Sequence, residues 1–351
     1  MSFRANILIL SVQVPFTRGG SEVLVDGLKR ELTLRDYCTD IVSLPFAAQP
    51  KTELVTQMAL WRSLELREFA GREVDLVIAT KFPSYLVPHP CKVVWLIHQH
   101  RQLYELYGSR FGDFDTEATD ETLRQMVHEA DRIGFSECRT VCTISRNVSK
   151  RLKRYLDVDS AALCPPLPLG DAYRAEAPEN YILSVGRLCS IKRVDLIIRA
   201  FAEIDDRLSL KIAGIADEPS IESYLKSEVD RHHLWHRVEF LGRVSDAELL
   251  SLYARAFAVY YAPFDEDYGF VTLEAIASRR PVITAMDSGT VLEYVEHEKN
   301  GLVTEAREHA LAEACNRLLR DESLYARLSS AQDEVKTHSW DEIISTLTAP
   351  F

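Results

Sequence analysis

Along the first half of the chain, short β-branched runs alternate with longer stretches in which apolar residues recur every three to four positions. The runs Ala5–Ser11, Thr39–Leu44, Val74–Ala79, Lys92–Ile97, Thr140–Ser145 and Ala162–Cys164 predict strands. The periodic stretches at about 20–34, 52–70, 118–134 and 146–156 predict helices between them. A parallel strand pair needs a crossover that a helix supplies, so this alternation implies βα units and a mostly parallel sheet. Pro165-Pro166-Leu167-Pro168-Leu169-Gly170 and a polar stretch to Asn180 then interrupt the pattern. Three prolines in four residues continue neither kind of element, which makes this the domain boundary.

Beyond it the alternation restarts with strand Tyr181–Val185 and helix Arg193–Ile204, whose Val194, Ile197, Ala200, Phe201 and Ile204 share one face. Strands follow at Leu208–Ala213, Val238–Leu241, Phe257–Ala262, Pro281–Ala285 and Gly301–Val303. The pattern predicts two doubly wound α/β domains with a cleft between them, 1–168 and 175–335. A short tail helix over 336–351 follows, in which Trp340 packs either back across the first domain or on its own. The opening run from Met1 to Leu10 has no small-residue cleavage site and reads as a first strand, not a signal peptide.

Length and charge narrow the function. A chain of 351 residues, 46% apolar and 27% charged, suits two globular domains. The net charge of -12 argues against nucleic acid as a partner, because phosphate-backbone binding needs a basic face. Residues 1–160 carry equal numbers of basic and acidic side chains, so the acidic excess lies entirely beyond them. Within that neutral half, the helix Arg146-Asn147-Val148-Ser149-Lys150-Arg151-Leu152-Lys153-Arg154 offers a basic face, either simply solvated or suited to peripheral contact with an anionic membrane. No apolar run reaches the roughly 20 residues that cross a bilayer. An odd set of seven scattered cysteines fits a reducing, cytoplasmic compartment. Cys138 and Cys142 lack a second Cys or His pair for zinc, and Asp113-Phe114-Asp115 is an ordinary coincidence in an Asp-rich chain, so no metal is expected.

Ligands of open α/β sheets bind beyond the carboxyl ends of the strands, which points to a few loops. Arg18-Gly19-Gly20-Ser21-Glu22 pairs glycines with a helix start, as an anion site or a plain turn requires. His98-Gln99-His100-Arg101 ends a strand, where a histidine meets a ligand or serves structure. Gly186-Arg187-Leu188-Cys189-Ser190-Ile191-Lys192 sets two cations five apart, placed to clamp a diphosphate unless they are merely solvated. Asp287-Ser288-Gly289-Thr290 is a small-residue loop with amides for phosphate, or an N-cap. Densest in chemistry is Glu266-Asp267-Tyr268-Gly269-Phe270-Val271-Thr272-Leu273-Glu274. Glu266 is expected on a loop and Glu274 on the first turn of a helix capped by Thr272. Helix-start amides for phosphate beside carboxylates for hydroxyls suit a nucleotide sugar.

In combination and order, Val185-Gly186-Arg187-Leu188 with Lys192, Phe240-Leu241-Gly242, the Glu-x7-Glu block, Gly289 through Glu293 and Asn300-Gly301-Leu302-Val303 resemble the retaining glycosyltransferases of family 4. Gly19-Gly20-Ser21-Glu22 is similar to that family's N-terminal glycine loop. The resemblance implies the GT-B fold: a Rossmann-like acceptor-binding domain, a Rossmann-like donor-binding domain and the cleft between them. It implies that Arg187 and Lys192 hold the donor diphosphate, that Glu274 accepts from the nucleotide ribose and that Glu266 contacts the donor sugar. Amides around Gly186, Gly269, Phe270, Val271, Gly289 and Thr290 add phosphate contacts. His98 faces the transferred sugar, and Gly19 and Gly20 lie near phosphates or acceptor. The family pattern is broken at three places: the pair Arg279-Arg280 where glycine usually precedes the proline, Ile191 for a frequent Glu, and Thr272 for a common Pro.

The activity so implied is retaining transfer of a hexose from a nucleotide diphosphate sugar to a hydroxyl of a glycan or lipid-linked glycan, in polysaccharide or glycoconjugate biosynthesis, without a metal cofactor. A nucleotide-sugar epimerase of the same fold and a non-catalytic nucleotide-sugar-binding subunit are the rivals. A dehydrogenase lacks its glycine fingerprint here.

Overall fold

The computed structural model describes residues 3–330 and 337–351. The chain divides into two units, Met1–Pro166 with Thr337–Phe351, and Leu167–Lys336. The division falls within the proline cluster, where backbone N–H groups needed for a strand or helix are missing. The tail boundary expected at 335/336 lies outside the described residues.

In the first unit, β1 (Asn6–Gln13), α1 (Gly20–Leu34), β2 (Cys38–Pro45) and α2 (Glu53–Ser63) open the alternation. A small hairpin follows, β3 (Glu68–Phe69) and β4 (Arg72–Glu73), then β5 (Leu76–Lys81), β6 (Lys92–His98), α3 (Ala118–Ser136), β7 (Thr140–Thr143), α4 (Arg146–Leu156) and β8 (Ala161–Ala162). The helix expected over about 52–70 therefore stops at Ser63. Leu66 is buried, which kept the apolar period running, but Leu64 is already extended and Ala70 and Gly71 turn the hairpin at positive φ. The strands β2-β1-β5-β6-β7-β8 form one sheet in which every pair is parallel. β5 and most of β6 are buried along their length, as strands covered on both faces must be.

The second unit runs β9 (Tyr181–Val185), α5 (Val194–Ala200), β10 (Ser209–Ala213), α6 (Pro219–Arg231), β11 (Val238–Gly242), α7 (Asp246–Arg255) and β12 (Ala258–Tyr260). It continues with α8 (Phe270–Ala277), β13 (Val282–Ala285), α9 (Val291–Tyr294), β14 (Gly301–Thr304), α10 (Glu308–Arg320) and α11 (Glu322–Ser330). Its all-parallel sheet has the order β11-β10-β9-β12-β13-β14. One apolar cluster, including Ile197, Phe201, Ile212 and Leu311, packs around one set of helices; a second, including Tyr253, Val259, Ala275 and Val291, packs around another. The helix expected to reach Ile204 ends at Ala200. The buried Arg237 guanidinium collects the carbonyls of Ile204, Asp205 and Leu208, so those residues turn outward from the helical ladder.

The last helix, α12 (Trp340–Thr348), belongs to the first unit. Its Trp340 meets Trp95 edge-on at 6.2 Å and lies where a side chain on Gly27 of α1 would stand, 3.1 Å from Trp340 Cζ2. His338 and Cys164 exchange two hydrogen bonds of 2.9 Å, and Arg35 pairs with Asp341.

Candidate active site

In each sheet the strand order reverses at one point, between β1 and β5 and between β9 and β12. Loops diverge there and leave an opening at the carboxyl ends of the strands. In the second unit, that opening collects the cations and the first glutamate of the sequence motifs.

After β9 the backbone passes Gly186 at φ 136° and runs against the loop after β10. Leu188 donates to the Ile215 carbonyl at 2.9 Å, and Asp217 N–H donates back to Leu188 at 3.1 Å. A Cβ at Gly214 would sit 1.8 Å from the Gly186 carbonyl oxygen, so only glycine permits this approach. The pairing presents Arg187 half-exposed, with Nη1 2.7 Å from Asp217 Oδ2. Burial opposes the charge of Arg187, but Asp217, Cys189 and Glu266 outweigh it and raise its pKa.

Five residues on, a 3-10 turn aims Lys192 inward. Its ammonium reaches the Tyr261 hydroxyl at 3.0 Å and pairs with Glu266. Tyr261, just past β12, donates to Glu266 Oε2 at 2.8 Å. Burial first, then Glu266, Cys189 and Glu274, push the Tyr261 hydroxyl far above its ordinary pKa, so it remains a donor. Arg193 fixes this arrangement. Buried and left-handed (φ 54°), it binds the carbonyls of Ala262 and Pro263 and grips Asp287 through two hydrogen bonds of 2.9 and 2.7 Å. One guanidinium thus ties together the loops after β9, β12 and β13.

The Glu266 and Gly289 loops are zipped as a short parallel bridge. Thr290 N–H donates to the Glu266 carbonyl at 3.0 Å and its hydroxyl to the Asp267 carbonyl at 2.8 Å. The Thr290 amide expected on phosphate is therefore spent on holding Glu266. Helix α8 is capped by Gly269 at φ 75° and not by Thr272, whose hydroxyl is buried without a partner. A Cβ at Gly269 would press within 2.8 Å of the Tyr261 ring. That contact and the positive φ move the helix start forward, which places Glu274 in the second turn and not the first. The amides of Phe270 and Val271 lie in the first turn, where a helix provides them no acceptor of its own.

Glu274 is buried apart from the Lys192 pair. Tyr173 donates to its Oε1 at 3.1 Å and Tyr253 to its Oε2 at 2.7 Å. Burial raises its pKa, while the two hydroxyls pull it back.

In the first unit, Gly19 caps α1, but its N–H goes to Glu22 Oε2 of the same turn at 2.8 Å, and Gly20 is the first helical residue. The buried Lys81, at the end of β5, donates to Ser21 and to Glu22, each at 3.0 Å. Burial opposes ionisation of Glu22, but Lys81 and the bonds from Ser21 and Gly19 hold its pKa below the usual range. His98 ends β6 in register with Lys81, with Nδ1 2.7 Å from the Gln99 carbonyl oxygen. Burial and His98 hold its neighbour His100 down to about 3, so His100 stays neutral. The basic face of α4 is smaller than its sequence suggests. Arg151 is buried against Glu105, and Lys153 is matched by Asp157 and Asp159. No helix among the described residues is long and apolar enough to cross a membrane.

The sequence passed over Asp217 and Lys81, although charged residues at or just beyond the end of a strand are signal enough, and over Tyr261, which reads as strand core. Nothing in the sequence marks Tyr173, Tyr253 or Arg193.

Residues 171–335 match the family model described as glycosyl transferases group 1. An uncharacterized glycosyltransferase of Methanocaldococcus jannaschii is 33% identical over 168 residues, an alignment spanning 47% of this chain and 43% of that protein. A D-inositol 3-phosphate glycosyltransferase of Corynebacterium efficiens is 25% identical over 98% of this chain and 89% of its own length. Among solved structures, Anabaena HepE in complex with UDP and glucose superposes with a TM-score of 0.73 at 16% identity, covering 99% of this chain and all of that one. The second unit is thus similar to the group 1 glycosyl transferases over residues 171–335, and the two parallel-sheet, Rossmann-like units have the GT-B fold.

Proposed function

We propose that the protein transfers a hexose from a nucleotide diphosphate sugar to a hydroxyl of a glycan or lipid-linked glycan, with retention at the anomeric carbon and without a metal. The observation that carries this reading is the Lys192–Tyr261–Glu266 cluster at the β9/β12 reversal, with Arg187 on the neighbouring loop. Two cations suit the diphosphate. A carboxylate held beside them suits sugar hydroxyls. HepE, crystallised with UDP and glucose, adds support for this ligand class.

In the reaction the bond between the anomeric carbon and the diphosphate oxygen breaks, and the acceptor oxygen bonds to that carbon on the same face. The acceptor proton passes to a departing diphosphate oxygen, so no separate base is needed. Arg187 and Lys192 stabilise the negative charge that gathers on the leaving group. Glu266 orients the sugar, and the amides of Phe270 and Val271 and the Gly289 loop supply further phosphate contacts. His98 faces the transferred sugar, and the Gly19-Gly20 loop serves the acceptor side.

A thermal-shift screen of UDP, GDP, ADP and their sugars selects the donor, and labelled donor with glycan acceptors reads transfer. Arg187→Ala, at a half-exposed position that leaves the fold alone, and Lys192→Ala should each lower turnover by about 10²–10³. Chelation by EDTA should leave turnover unchanged. Wild-type turnover by the Arg187 variant would overturn the assignment. Epimerised label without acceptor would identify an epimerase, and binding without turnover on any acceptor would identify a non-catalytic subunit.

A further inference from the structure

Arg187 stands half-exposed on the loop after β9, close enough to Glu266 for that carboxylate to bear on its charge. An arginine in such a place has as much side-chain freedom as any residue, and a ligand that fixes it must offset the loss. Among the described residues one group bonds its side chain: Asp217, whose Oδ2 accepts from Nη1 at 2.7 Å.

Asp217 is fixed through its backbone. Its N–H donates to the Leu188 carbonyl at 3.1 Å, and Leu188 pairs with Ala216 as a parallel bridge. A side chain on Gly214 would block the approach of the two loops at Gly186. Their register therefore sets Asp217 beside Arg187. Helix capping does not account for Asp217. It lies just ahead of α6, where an aspartate often serves as a cap. The N-cap position falls instead on Glu218, and the Asp217 carboxylate makes no bond to that helix among the described residues.

A guanidinium presents its N–H donors as a planar fork. With Nη1 on Asp217, the edge formed by Nε and Nη2 is left for a second acceptor. That edge matches two phosphate oxygens at once.

We propose that Asp217 is a positioning residue, which holds Arg187 by Nη1 before the donor arrives so that the Nε–Nη2 edge meets the diphosphate already ordered. The proposal rests on the donor reading above and adds to that site a residue from the loop after β10. An anion beside the site also repels a diphosphate, but both partners of the pair reach water, where repulsion is screened. Ordering one long side chain in advance outweighs it, at about three- to ten-fold in affinity.

The test compares Asp217→Ala and Asp217→Asn with the wild type, and Asp217→Ala with its parent in an Arg187→Ala background. Each full chain is titrated with the tightest-binding nucleoside diphosphate of UDP, GDP and ADP, and assayed for transfer from the labelled sugar of that nucleotide to a glycan acceptor. Asp217→Ala should weaken the nucleotide about three- to ten-fold and lower kcat/KM for the donor at least as much. Asp217→Asn keeps an acceptor oxygen and should restore most of the loss. In the Arg187→Ala background, Asp217→Ala should change neither quantity. The melting temperature should hold throughout, because the bridge between the loops is made of backbone bonds. Unchanged or tighter nucleotide binding in Asp217→Ala would overturn the proposal, as would an equal further loss in the Arg187→Ala background, and the donor reading would survive either result. A wild-type chain that binds none of the three nucleotides would overturn the donor reading and this role with it.

Discussion

Arg279 holds its backbone at φ 55°, in the left-handed region that costs a residue with a Cβ about 1–2 kcal/mol relative to the right-handed one. Its side chain is exposed, so nothing in the packing requires arginine there. Where the family pattern has glycine, this chain keeps the same turn with a strained residue. Arg280 secures it by donating to the carbonyls of Glu176 and Ala254. Arg279→Gly should therefore raise stability by roughly 0.5–1 kcal/mol, the backbone relief less the added entropy of the unfolded chain. A urea midpoint unchanged or lowered would show that the turn is not strained. The same scale explains why Lys192 and Glu266 were legible and Tyr261 was not. Charged residues at loop positions are conspicuous in a sequence, whereas a tyrosine at the end of an apolar strand is indistinguishable from core until its hydroxyl is seen between them.

At the scale of elements, α3 carries a fully buried Asp131 whose Oδ2 accepts from the Tyr104 hydroxyl at 2.6 Å. Burial pushes its pKa up to about 7, against the hydrogen bond, so the folded chain takes up a proton there that the unfolded chain gives up near 3.8. The stability from this group is complete below the unfolded value and is lost as pH rises toward 7, by up to about 4 kcal/mol for a shift of this size. Asp131→Asn should remove that slope, with a melting temperature below wild type at pH 5 and level with or above it at pH 8. Parallel curves for the two proteins across this range would refute it. Element ends were less legible than element types. The α2 periodicity ran past Ser63 because Leu66, beyond the extended Leu64, is also buried, and α5 stopped early because Arg237, distant in sequence, takes the carbonyls beyond it.

For the whole molecule, the tail helix α12 joins the first unit from the far end of the chain. Trp340 fills the space over Gly27 and meets Trp95, and the His338–Cys164 bonds tether the approach. Trp340→Ala should cost the first unit about 2–3 kcal/mol, less than a fully buried aromatic because the side chain is partly exposed. Hydrogen exchange should show protection falling in α1 and β6. Unchanged protection there would mean that the tail contributes nothing to the unit. Each unit also has its own reversal of strand order. Chemistry gathers at both: Lys81 with Ser21 and Glu22 in the first, and Lys192 with Tyr261 and Glu266 in the second.

Alternating periodicity and the proline cluster were enough to determine two doubly wound α/β units and most of their strands, because burial on both faces of a parallel sheet writes itself into local hydrophobic pattern. The order of motifs likewise pointed to the group 1 glycosyl transferases, which the second unit resembles. What needed the tertiary structure was which groups share a hydrogen bond. Asp217 on Arg187, Tyr261 between Lys192 and Glu266, and Tyr173 on Glu274 join residues from different loops. No local pattern records such pairs, since sheet order and helix caps such as Gly269 decide them only after the chain has packed.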